Sequence, residues 1–308
     1  MLDSRIKFRH LQTFVEVARQ KSVQKAADLL HVSQPAVTKT IRELEEALGV
    51  AVLERDGRGI RITRYGEVFL RHAGAALSAL RQGLDSVSQE RFGEAPPIRI
   101  GALPTVSTRI MPRAMELFLK EDTWSRIKVV TGENAVLLEQ LRVGDLDLVV
   151  GRLAAADKMS GFSFEYLYSE QVVFVVRSGH PLLEAGRSLF SDLGRYTVLM
   201  PTRASIIRPF VESFLIANGV ANLLSQIETV SDSFGRAFVR SSDAIWIISA
   251  GVVAGDIDDG LLKALPIDTS ETKGPVGLTM RTDAIPSLPL SILTQTIRQA
   301  AEEISKRL

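Results

Sequence analysis

The sequence predicts an α/β protein in three parts: a small all-α N-terminal domain carrying a β-hairpin, one long helix, and a C-terminal α/β domain in two lobes. Three observations carry this. Residues 22–48 read as two short helices around a tight turn. Residues 64–89 hold one helical period without a break. From Ile98 onward, short apolar runs alternate with helical stretches.

Phe8, Leu11, Phe14, Val15 and Ala18 make a first amphipathic helix, and Val23, Ala26, Ala27 and Leu30 continue at helical spacing. Ala26 and Ala27 are small enough for another helix to approach closely. His31-Val32 breaks the run, Ser33 caps a new helix, and Pro35 sits in its first turn, where a missing N–H is no loss. Val37, Ile41, Leu44 and Leu48 form the buried stripe of that helix, and three helices suffice to close a small core. Its other face carries Gln34, Ala36, Thr38, Lys39 and Arg42, residue types that meet bases and phosphates: Gln pairs adenine, Arg pairs guanine, Thr meets a thymine methyl, Lys meets the backbone. An ordinary surface helix has a polar face too, but not cap, proline, small pair and turn in this order. That order is the grammar of a DNA-binding helix-turn-helix. Residues 50–66 then read as strand, Gly-rich turn and strand, the wing of a winged helix-turn-helix. Arg55, Arg58, Arg61 and Arg64 recur every third residue along it, and Gly57 and Gly59 supply the turn. Such arginines reach phosphates or a narrow minor groove; the alternative is a solvated charged hairpin. The candidate DNA contacts are therefore Ser33, Gln34, Pro35, Ala36, Thr38, Lys39, Arg42, Arg55, Arg58 and Arg61.

Composition agrees. The 308 residues are 45% hydrophobic and 24% charged, room for two or three domains. The net charge is only +1, yet residues 1–91 hold 15 Lys+Arg against 11 Asp+Glu, so the excess of positive charge lies with the helix-turn-helix. The absence of cysteine excludes disulfides, thiolate metal sites and cysteine nucleophiles. Of four histidines, His10, His31 and His72 fall in the DNA-binding and long-helix segments, and His180 stands beside Pro181 in a turn. With no dinucleotide or Walker loop either, neither an enzyme nor a cofactor is expected. No export signal or apolar span is expected, so the simplest location is the cytoplasm, away from membrane.

The long helix carries Val68, Phe69, Ala73, Ala76, Leu77, Leu80, Leu84 and Val87, a stripe wider than one small domain covers. It either packs against its twin in a second subunit or lies on its own C-terminal domain. Gly93-Glu94-Ala95-Pro96-Pro97 interrupts the helix as a hinge. The expected organisation is 1–64 for the winged domain, 65–92 for the linker helix and 93–97 for the hinge. Lobe I takes 98–171 and 276–308, and lobe II takes 172–275, around mainly parallel sheets. Within lobe I, residues 105–120 read as one helix.

Ligands collect at the carboxyl ends of strands and at helix N-termini, where free N–H groups favour anions. Four segments have that address: residues 105–108 with Arg109 beyond, Glu133-Asn134, Gly151-Arg152, and Thr202-Arg203-Ala204-Ser205. Helix capping is the alternative role for Thr105 and Ser205, and a salt bridge to Asp145 or Asp147 the alternative for Arg152. Should Arg109, Arg203 and Arg208 face inward, a polycarboxylate is favoured, because each guanidinium takes a carboxylate in bidentate fashion.

Residues 8–64 resemble the DNA-binding domain of LysR-type transcriptional regulators. The family's A-A-x-x-L, S-Q-P-A-V, I-x-x-L-E-x-x-L-G, L-x-R and T-x-x-G are met by Ala26-Ala27-Leu30, residues 33–37, Ile41-Leu44-Glu45-Leu48-Gly49, Leu53-Arg55 and Thr63-Gly66. The resemblance extends along the whole chain. It implies a linker helix that makes dimers, commonly assembled into tetramers, and an effector domain like periplasmic binding proteins, with a cleft between lobes. By this likeness Thr105, Asn134, Arg152, Thr202 and Ser205 line the effector site, with Ser107 and Arg203 beside them. The expected partners are double-stranded DNA, a small-molecule effector and RNA polymerase. Residues 5–45, 57–74 and 132–154 are similar to a subgroup controlling protocatechuate catabolism and a galactose-binding protein. The former implies an activator responding to β-carboxy-cis,cis-muconate. The alternatives are a sugar-responsive regulator and a repressor.

Overall fold

The computed structural model describes residues 5–57, 59–92, 97–121, 126–184, 189–220 and 222–305. Arg58 and residues 93–96 of the expected hinge lie outside the described residues.

The N-terminal domain runs α1 (Phe8–Gln20), α2 (Val23–Leu30), α3 (Gln34–Leu48), β1 (Leu53–Asp56) and β2 (Gly59–Ile62), followed by the long α4 (Arg64–Phe92). Ser22 and Ser33 cap α2 and α3, accepting from the N–H groups of Lys25 at 3.3 Å and Ala36 at 3.4 Å. Phe14, Ala26, Ala27, Val37, Ile41 and Leu44 are buried together, whereas Phe8, at the start of α1, is 52% exposed. Three helices do not close this core alone. Val52, then Leu70 and Ala73 of α4, complete it, and Val143 reaches in from the C-terminal domain. Thr63 locks the wing to α4: its Oγ1 accepts from Gly66 N–H at 3.0 Å and donates to the Ala51 carbonyl at 2.7 Å. At Gly66 any Cβ would overlap the Val52 carbonyl oxygen, which explains glycine there without any demand on φ.

The C-terminal part runs β3 (Ile98–Ala102), α5 (Pro104–Ser107), α6 (Met111–Phe118), β4 (Ile127–Thr131), α7 (Asn134–Arg142), β5 (Leu148–Arg152), β6 (Phe162–Glu170) and β7 (Val172–Arg177). It continues with α8 (Leu189–Asp192), β8 (Val198–Met200), α9 (Arg208–Ala217), β9 (Gln226–Glu228), α10 (Asp232–Ser241) and β10 (Ile245–Ser249). Last come α11 (Ala250–Asp258), β11 (Leu262–Ala264), β12 (Gly274–Arg281) and α12 (Leu288–Ser305). Two five-stranded sheets form, in the orders β4-β3-β5-β12-β6 and β11-β7-β10-β8-β9.

Three expectations need correction. The sheets are mixed rather than mainly parallel. β12 runs antiparallel to both β5 and β6, and β7 runs antiparallel to β10 and β11, because the chain crosses between lobes after β6 and returns through β12. The single helix expected over 105–120 is two, α5 and α6. Pro112 has no N–H to offer and its ring opposes the Thr108 carbonyl, so the helix restarts. β6 belongs to none of the short apolar runs that the sequence alternates with helices, because its Phe162, Phe164, Tyr166 and Tyr168 stand at every second position with polar residues between the first three, the pattern of a strand with one buried face.

Each lobe has its own core. Ile100, Val106, Phe118, Leu148 and Val276 pack under α12 in one, and Phe174, Val198, Val211, Phe214 and Ile245 pack together in the other. The middle of α4 lies on lobe I. Gly74 abuts the Arg142 carbonyl, Arg281 donates to Ser78 Oγ at 3.1 Å and to the Leu141 carbonyl at 2.9 Å, and Arg81 donates to the Gly144 carbonyl at 3.0 Å. Further along, Leu80, Leu84 and Val87 remain exposed.

Candidate DNA-binding face and effector cleft

Gln34, Pro35, Ala36, Lys39 and Arg42 stand exposed on α3, directed away from its Val37-Ile41-Leu44 stripe. Thr38 is half-buried, and its hydroxyl donates to the Gln34 carbonyl at 3.1 Å. Between α3 and the wing lies a hollow of about 540 Å³, bordered by Gln34, Thr38, Arg42 and Arg55 together with Lys21 and Gln24. Lys21 and Gln24 were not among the sequence candidates, since only the third dimension sets the start of α2 beside α3. Arg55 is exposed, while Arg61 pairs with Glu54 at 2.8 Å. Glu43, at the back of the recognition helix, accepts from Arg9 at 2.8 Å, and this bond, with His10 beside it, holds its carboxyl below the usual range. Its charge ties α3 to α1, and its other oxygen lies 3.9 Å from Lys39 Nζ on the exposed face of α3.

The second site is a cleft of about 390 Å³ between the lobes. Thr105, Ser107, Asn134 and Ser205 line it, and Thr131, Ser231, Ser233 and Ser249 add hydroxyls that sequence reasoning missed. The Ser231-Asp232-Ser233 triplet opening a helix was the available signal, because it carries the same cap-and-anion grammar as the segments chosen. Neither Thr105 nor Ser205 caps its helix with its side chain: α5 and α9 begin without a side-chain cap bond. Asn134, 7% exposed, donates Nδ2 to the Arg152 carbonyl at 3.0 Å, which fixes its amide toward the cleft wall. Thr202 is at the rim, where its hydroxyl donates to Glu133 Oε1 at 2.8 Å and ties lobe II to lobe I. Trp246 and Ile248 supply apolar surface to the wall.

The arginines go elsewhere. Arg152 is 4% exposed, donates to the Thr272 carbonyl, and lies 4.5 Å from the centre of the Phe210 ring. Neither Asp145 nor Asp147 is its partner: Asp145 takes Arg19 and Arg81, and Asp147 accepts from Arg99 N–H at 2.8 Å. Arg203 is exposed at the start of its turn. Arg208 bonds Glu212, Glu228 and the Pro201 carbonyl, and Arg109 lies 3.7 Å from Glu170. Among the described residues no Arg, Lys or His lines the cleft. Glu170 is buried where the chain crosses between lobes. Burial pushes its carboxyl up to about 7, against the opposing pull of Gly251 N–H, Arg109, the Tyr168 hydroxyl and Arg152.

A winged helix-turn-helix joined by one long helix to a two-lobed domain with a ligand-sized cleft defines an effector-responsive DNA-binding regulator. Residues 8–67 match the family described as bacterial regulatory helix-turn-helix protein, lysR family, and residues 93–302 match the LysR substrate binding domain. The chain belongs to the LysR family of transcriptional regulators, and is a regulator rather than an enzyme. It is 72% identical, over 99% of its length and 98% of the relative, to the HTH-type transcriptional regulator PcaQ of Agrobacterium fabrum (strain C58 / ATCC 33970). In fold it is similar to full-length LysG from Corynebacterium glutamicum with bound effector Arg, at a TM-score of 0.62 and 18% identity, covering 97% and 99% of the two chains. It is also similar to full-length CbnR complexed with its target DNA, at a TM-score of 0.55 and 22% identity, covering 96% and 100%. Among the described residues no helix is long and apolar enough to cross a membrane.

Proposed function

We propose that this chain is a cytoplasmic activator of protocatechuate-breakdown genes that responds to a carboxymuconate-type pathway intermediate. The observation that carries the reading is the 72% identity with PcaQ along nearly the whole of both chains, together with the subgroup likeness of the DNA-binding and cleft segments. In this reading α3 enters a major groove from Gln34 to about Arg42, with Arg55 and the rest of the wing on phosphates. The exposed Leu80, Leu84 and Val87 face a second copy, giving a homodimer or homotetramer that spaces the recognition helices.

The cleft receives the anion without guanidinium groups. The N-termini of α7 and α10 open on it at Asn134 and Ser231-Asp232, and Ser249 adds a hydroxyl, so backbone N–H groups and hydroxyls take the place the arginines were expected to fill. Effector binding favours one arrangement of the lobes, moves lobe I and the α4 docked on it, and so alters DNA geometry and contact with RNA polymerase. The effector shifts this equilibrium only by its differential affinity for the two states; about 1.4 kcal/mol is a tenfold change.

The test is a thermal-shift and calorimetry series with β-carboxy-cis,cis-muconate and with galactose. A ligand at one hundred times its Kd adds about 2.7 kcal/mol of stability. Stabilisation by the tricarboxylate with none by the sugar supports the proposal. The reverse makes the chain a sugar-responsive regulator and leaves the DNA-binding assignment intact.

A further inference from the structure

The cleft sets an electrostatic problem for a polyanion. Its only charged lining residues among those described are two carboxylates, Glu133 from lobe I and Asp232 from lobe II. Glu133 is engaged, accepting the Thr202 hydroxyl across the rim. Asp232 is differently placed. It is the first residue of α10, half-buried in the cleft wall, and burial raises its carboxyl above the ordinary range against the weaker pull of Arg236. Arg236, one turn along the same helix, is committed to α11: its guanidinium bonds Asp256 at 2.8 Å and the Val252 carbonyl. The charged groups set about Asp232 are therefore Arg236 on its own helix, Asp256 of α11 held by that arginine, and Glu133 across the cleft.

We infer that effector binding is proton-linked at Asp232: a polycarboxylate seats in the cleft together with one proton, which turns Asp232 from a repelling charge into a hydrogen-bond donor toward an effector carboxylate. Two carboxylates brought to hydrogen-bond distance do not both stay ionised, and the group already desolvated is the one that takes the proton. Glu133, already accepting the Thr202 hydroxyl, adds a second carboxylate at the rim that disfavours additional negative charge. The inference rests on the polycarboxylate reading of the effector given above.

The experiment is calorimetric titration of the full chain with β-carboxy-cis,cis-muconate from about pH 7.5 to about pH 6, in two buffers of different ionisation enthalpy. The difference between buffers reads proton uptake directly in the unaltered protein. One proton taken up makes Kd fall by up to about tenfold per pH unit. D232N is expected to bind more tightly than wild type at about pH 7.5 and to lose the pH dependence. E133Q is expected to bind more tightly throughout while keeping it. Glu170 titrates in the same range, and the D232N variant separates the two. A wild-type Kd that does not change with pH, with no proton uptake, overturns the proposal, as does a D232N protein that keeps the wild-type dependence. Absence of tricarboxylate binding at every pH instead overturns the effector assignment itself, and this inference with it.

Discussion

Glu170→Gln isolates the buried carboxylate at the lobe crossing. Glu170 is 4% exposed, so solvent screens little of its environment, and its carboxyl rises from 4.5 to about 7 because burial outweighs the Gly251 N–H, Arg109 and Tyr168 hydroxyl that favour its charge. A folded-state pKa above the unfolded one means that the folded protein binds the proton more tightly. The stabilising contribution of that proton is complete below about pH 4.5 and is lost as pH rises through about 7. At about 1.4 kcal/mol per pH unit, the gap amounts to about 3 kcal/mol. Gln keeps an acceptor for Gly251 N–H and a donor for the Tyr168 oxygen but never ionises. E170Q should therefore match wild type near pH 5 and exceed it by up to about 3 kcal/mol near pH 8, roughly 6–12 °C in melting temperature for a domain of this size. Thermal denaturation of both proteins across that range is the assay, read as the difference between them so that other titrating groups cancel. Parallel profiles, or an E170Q protein that falls below wild type as pH rises, would show that the Arg109 pair outweighs desolvation and refute the reasoning.

Four other outcomes follow from the same geometry. Gln34→Ala or Arg42→Ala should weaken specific DNA binding by about 1–3 kcal/mol and relax base preference, seen by competition between operator variants. Arg55→Ala should instead weaken all sequences alike and lower the salt slope by about 1. Gly66→Ala places a methyl against the Val52 carbonyl and 2.6 Å from Ile62 Cγ2; the shift this forces should destabilise the winged domain by about 2–3 kcal/mol, with loss of DNA binding at a lower temperature than wild type. Leu84→Glu, on the exposed stripe of α4, should reduce assembly measured by sedimentation velocity while leaving the monomer folded, because Leu84 is 62% exposed in the single chain.

What the chain states locally is legible from its letters. The helix-turn-helix is written as cap, proline, small pair and stripe within residues 22–48, where every signal acts over one or two turns, and α3 begins at Ser33, the serine that announces it. Part of the polar lining of the cleft was legible for the same reason: Thr105, Asn134 and Ser205 sit at strand ends and helix starts, positions that sequence order marks, whereas Thr131, Ser231, Ser233 and Ser249 were not singled out. The arginines were not. Arg152 and Arg208 stand at those same addresses, yet a guanidinium on a flexible stem goes to whatever carboxylate, carbonyl or ring lies within reach, and those partners, Thr272, Phe210, Glu212 and Glu228, arrive from other elements. The mixed sheets, the docking of α4 on lobe I and the exposure of Phe8 have the same origin. By itself the sequence determined the class of protein and its DNA-reading helix, because these rest on periodicity and capping between near neighbours. Only the tertiary structure decided which charges face the effector, since charge compensation is settled by through-space distance and burial rather than by order along the chain.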